Sequence, residues 1–115
     1  MIDIYKDLEE IGLPVYAEGD APAELPDEYI TISEDSTVDN LSADNEAKEI
    51  RYDYTLVFYT KRADNLYEGL LKTVALLRKK GYIASGVGYS HSTYQGVWFA
   101  RQADIIRIEY VNNKS

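Results

Sequence analysis

From Ile50 to Lys61 the chain alternates with a period of two: Ile50, Tyr52, Tyr54, Leu56 and Phe58 fall on one side, Arg51, Asp53, Thr55, Val57 and Tyr59 on the other. No helix keeps that alternation, so the stretch predicts a long strand with one core face and one mixed face. The period then changes. Leu66, Leu70, Val74 and Leu77 recur at helical spacing up to Arg78-Lys79-Lys80-Gly81, a basic turn and a glycine that suit a helix C-terminus. Asn65 and Glu68, three apart, predict a capping box at the start of this helix. These are the two strongest apolar faces in the chain, and each needs cover, so they are expected to pack on one another.

The remaining elements are read from the same patterning. Ile4, Leu8 and Ile11 form the apolar stripe of a short opening helix that Gly12 and Pro14 end. Val15-Tyr16-Ala17 fits a brief strand, and Glu28 to Glu34 alternates as a second one. The polar, short-sided run from Asp35 to Glu46 predicts a mobile loop or hairpin tip. After the main helix, Ile83 to Ser90 reads as a glycine-containing strand, Ser92 to Gly96 as a turn, and Val97 to Val111 as a long strand with a bulge near Arg101-Gln102. Long strands on both sides of one central helix predict a single α+β domain over residues 1–115, a mainly antiparallel sheet covered on one face by two helices.

Composition adds limits. A chain of 115 residues with 45% hydrophobic and 28% charged positions is ordinary for one folding domain. With no cysteine, it has no disulfide, thiolate metal site or cysteine nucleophile. The charged opening Met1 to Asp7 predicts no secretory signal, and apolar runs of only a few residues predict no membrane-spanning segment. A net charge of −8 disfavours sequence-independent binding to nucleic acid. The charge is also unevenly placed: eleven acidic residues against Lys48 alone from Glu18 to Glu49, then ten basic against five acidic from Ile50 onward. Like subunits could therefore meet with opposite potentials face to face.

Candidate chemistry is weak. The one histidine, His91 in Ser90-His91-Ser92, has no orienting third group or oxyanion donors in the sequence. Asp35, Thr37, Asp39 and Glu46 match four positions of a calcium-loop template, but Asn40 stands where the template needs glycine and the flanks read as strands. Gly86-Val87-Gly88 lacks the third glycine and the helix of a dinucleotide fingerprint. The expectation is no catalytic residue, no cofactor and no metal. Eleven tyrosines suit half-buried sheet faces and protein interfaces alike. Tyr59, Tyr89 and Tyr94 are expected to stay partly outside, available to a partner.

Several short stretches resemble the small tail-completion or tail-terminator proteins of long, flexible-tailed phages and prophages of Gram-positive bacteria. They are Pro14-Val15-Tyr16 after the opening helix, Ser42-Ala43-Asp44-Asn45 before the long strand, Leu56-Val57-Phe58-Tyr59-Thr60-Lys61 at its end, and the helix Leu66 to Lys80 with Gly81-Tyr82. Glu24 to Tyr29 departs from the phenylalanine- and proline-containing stretch of that family. The resemblance implies a structural protein of the head–tail joint, assembling as a hexameric ring that meets tail-tube and head-connector proteins, in the virion and, during assembly, in the host cytoplasm. Asp39 and Asp44 would then meet the basic turn Arg78, Lys79 and Lys80 of a neighbour, or line the channel. The alternative is a small ligand- or peptide-binding regulatory domain using the sheet's aromatic face.

Overall fold

The computed structural model describes residues 2–41, 47–90 and 98–112. Five strands, β1 (Val15–Ala17), β2 (Glu28–Leu41), β3 (Ala47–Thr60), β4 (Ile83–Ser90) and β5 (Phe99–Asn112), form one sheet in the order β1-β2-β3-β5-β4. β1 runs parallel to β2, and every other pairing is antiparallel. Helices α1 (Ile4–Asp7) and α2 (Leu66–Lys79) join the same face, which makes this an α+β fold.

The main core is the one the two periodicities demand. Tyr54, Leu56 and Phe58 of β3, with Ile30 and Ile32 of β2 and Ala103 and Ile105 of β5, are buried against Leu66, Leu70, Val74 and Leu77. Ile4 of α1 and Leu8, which caps it, close the other side of the cluster, and Tyr52 packs at its rim. Gly69 lets α2 approach this closely: a Cβ there would lie 2.8 Å from Cε1 of Phe58. The end of α2 is a Schellman motif, with Tyr82 N–H donating to Leu77 C=O, Gly81 N–H to Arg78 C=O, and Gly81 at φ +97°. The Tyr82 hydroxyl then donates to Asp7 at 2.6 Å, tying the start of β4 to α1.

Three expectations are corrected. The capping box does not form, because Asn65 sits in a 3-10 turn with helical φ/ψ and its amide donates instead to Glu28. The bulge expected at Arg101-Gln102 belongs to the partner strand. β5 pairs with β3 without a break, whereas Gly86-Val87-Gly88 of β4 bulges opposite Ala103, with Gly86 and Gly88 at positive φ. The loop expected over 35–46 is strand as far as Leu41, in register with Lys48 to Asp53 past a bulge at Asp35; residues 42–46 lie outside the described residues.

This extension of β2 shapes the molecule. A strand of 14 residues spans about 46 Å, a helix of 14 residues about 21 Å. α2 therefore covers only part of the sheet, and β2, β3 and β5 run on as a three-stranded arm. The described residues measure 53 × 25 × 23 Å, with a radius of gyration of 15.9 Å against roughly 13 Å for a compact chain of this length.

Candidate interaction surface

The face of the sheet turned away from the helices is built by the residues that alternate with the core. On β2 and β3 it carries Tyr29, Thr31, Ser33, Thr55, Val57 and Tyr59, a mixed set that the period of two predicts for the second face. Tyr29 and Tyr59 stack with ring centroids 4.5 Å apart, and Trp98 meets Tyr29 edge-on at 6.4 Å. Lys61 lies over the Trp98 ring, 4.8 Å from its centroid, and pairs with Asp27 at 3.3 Å. Burial raises the Tyr29 and Tyr59 hydroxyls above the usual range; for Tyr59, a hydrogen bond with Thr31 opposes the shift and the nearby Glu18 adds to it.

The segment between β1 and β2 folds over this face through Glu18, Gly19, Ala21 and Leu25, leaving an open cleft of about 420 Å³. Its floor is apolar at Val57 and the tyrosine rings, and its walls carry hydroxyls and two carboxylates, Glu18 and Asp35. Asp35 is held in place, accepting from Thr55 Oγ1 at 2.6 Å and Ser33 Oγ at 3.1 Å. Among the described residues no Lys, Arg or His lines the cleft. It can accept hydrogen bonds and stabilise positive charge; anions would be repelled.

Further along, the rule of burial reverses. On β5, Ala103 and Ile105 face the helices, with Gln102 and Asp104 on the bare side; from Ile106 the apolar residues, Ile106, Ile108 and Tyr110, take the bare side while Arg107 and Glu109 take the other. Ile83 of β4 pairs with Ile106 and is 53% exposed, and Tyr110 is 73% exposed. On the arm of β2, Val38 joins them by register, opposite Arg51, which pairs with Asp53 at 3.0 Å.

The candidate interface residues do not gather in one place. Tyr59 is half-buried in the cleft floor. Arg78 and Lys79 are exposed at the end of α2, on the opposite side of the sheet; Arg78 donates to Ala84 C=O at 3.3 Å, and Lys80 pairs with Glu10 at 3.0 Å. Asp39 stands in β2 paired with Ile50, and Tyr89 in β4 paired with Gln102. Asp44, Tyr94 and His91 lie outside the described residues. The sequence reading missed Glu18 and Tyr29, and weighed Asp35 only within a calcium-loop template, because the cleft arises from a loop folding across a face, which no local period records. The reversal on β5 was legible: Ile105-Ile106 is where its apolar alternation slips by one residue.

No protein-family model matches the chain, and comparison with curated proteins finds no match.

Proposed function

We propose that this chain is a structural subunit that assembles with copies of itself into a ring, and that the ring is the tail-completion or terminator component joining the head and tail of a long-tailed phage or prophage. The observation that carries the assembly is the reversal along β5, which puts Ile106, Ile108 and Tyr110, with Ile83, on a face that no helix among the described residues covers. Antiparallel sheets with one wet face normally keep that face polar; here Ile83 and Tyr110 are exposed and Ile106 and Ile108 half-buried, and apolar surface left in water on a sheet face marks a contact surface. The polarised charge supports association of like subunits, and the short sequence matches support the place in the phage. The proposal casts the chain as a structural component, not an enzyme.

Light scattering and negative-stain electron microscopy of the purified protein test the assembly: rings, or a mass that rises with concentration, are expected, and a monomer at every concentration overturns it. The place in the virion is tested by deleting the gene from its phage; joined particles with tails of normal length would exclude it. A second reading, a ligand- or peptide-binding regulatory domain, is favoured by the aromatic cleft and predicts a monomer.

A further inference from the structure

We infer that the cleft between the Glu18–Leu25 segment and the sheet receives the basic C-terminal turn of α2 from a second copy, with Lys79 entering between Glu18 and Asp35. The inference rests on the ring reading and names the contact that would build it.

Three observations carry it. The first is charge complementarity within one sequence. The cleft has two carboxylates and, among the described residues, no cation, while the α2 turn holds Arg78, Lys79 and Lys80 in succession. Of these, Lys80 is engaged with Glu10 and Arg78 reaches the Ala84 carbonyl, which leaves Lys79 as the exposed ammonium directed at no acid among the described residues.

The second is the chemistry of the cleft. A lysine buries its methylene stem on apolar surface and keeps its ammonium among acceptors, and Val57 with the Tyr59 ring offers the first while Glu18 and Asp35 offer the second. Asp35 is already fixed by Ser33 and Thr55, so little further ordering is needed to receive a donor. At about 420 Å³ the cleft falls within the ordinary range for pockets that take a small group.

The third is topology. α2 packs on one face of the sheet and the cleft opens on the other. Complementary sites on opposite faces make a head-to-tail contact, the kind that propagates and closes a ring when its rotation permits.

The test is a charge swap in the full-length protein. Glu18 and Lys79 are both exposed, so Glu18→Lys and Lys79→Glu should keep the fold, checked by circular dichroism and thermal midpoint. Each single reversal is expected to raise the concentration for half-assembly at least about tenfold in sedimentation velocity, and the double variant to restore it. Should Glu18→Lys impair folding, Glu18→Gln is expected to weaken assembly in the same direction by a smaller factor. Singles that assemble like the wild type, or a double variant that is not restored, overturn the contact and leave the ring standing. A wild type that is monomeric throughout overturns both, and a peptide or free amine that fills the cleft of such a monomer would identify the occupant as another molecule.

Discussion

Between Tyr29 and Ile32 the side chains of β2 that turn toward the helices are Ile30 and Ile32, both buried; past the bulge at Asp35 the same side carries Thr37, which is exposed. β5 makes the same change from Ala103 and Ile105 to Arg107 and Glu109. One set of strands thus serves as half of a helix–sheet sandwich at one end and as a helix-free arm at the other. Strand pairing runs through both regions, unbroken between β3 and β5 and interrupted between β2 and β3 by the bulge at Asp35, so what chiefly separates them is burial. Stability should reside in the sandwich, and contact with other molecules on the bare face of the arm and cleft.

The largest effect expected from this division is in the sandwich. Leu70 is fully buried against Leu56 and Phe58, so Leu70→Ala should lower stability by about 2–5 kcal/mol, read as a shift in denaturation midpoint at unchanged slope. An unchanged midpoint would mean that α2 does not carry the core. Gly69→Val comes next, at about 1–3 kcal/mol, because its branched carbon would be driven into the Phe58 ring. Thermal unfolding of that variant measures how closely helix and sheet must approach.

Much of this division could be read in the chain. The period of two in β3 and the helical spacing in α2 each state which residues are buried, and each agrees with the other, so the core followed from local pattern. The cleft did not, since Glu18 follows β1 and Asp35 lies within β2, and they line one cleft only because β1 pairs with β2 and the connection between them folds over the sheet. The arm was misread for a different reason. Asp35 to Leu41 offers little apolar area and looked like a loop, yet β2 is held there by backbone pairing with a neighbour whose own alternation is strong. Bond satisfaction along a ladder is a tertiary property that a polar run does not advertise.

Alkali should act on the sandwich as well. Burial, aided by Glu34, pushes the Tyr54 hydroxyl up to about 12 from its usual 10, and burial with donation to Asp7 raises Tyr82 as well. A raised folded-state value favours the protonated phenol in the fold. Its contribution is complete below the unfolded value and is lost as pH climbs through the folded one, because the unfolded chain gives up its protons first. The denaturation midpoint should therefore fall steadily between pH 10 and 12, and Tyr54→Phe should flatten that fall. A slope identical in wild type and variant would show that Tyr54 ionises as freely in the fold as outside it.

The smallest effect on folding, and the sharpest test of the arm, is expected from Ile108→Thr. Its backbone pairs with Arg51, threonine keeps the β-branched shape that strands favour, and the side chain lies on the side of β5 that no helix among the described residues covers. Ile108 is half-buried, so trimming it should cost well short of the effect of Leu70→Ala, on the order of 1 kcal/mol or less, and the denaturation midpoint should move little. If the stripe is where subunits meet, the same substitution removes apolar area from the contact, and self-association should weaken by more than folding does. Light scattering over a dilution series and a denaturation curve on the same sample separate the two readouts. Association unchanged with stability unchanged would remove the stripe from the interface and leave the cleft to carry assembly alone. Stability reduced as far as by Leu70→Ala would show instead that the arm is part of the core, and the two ends of the ribbon would no longer differ in kind.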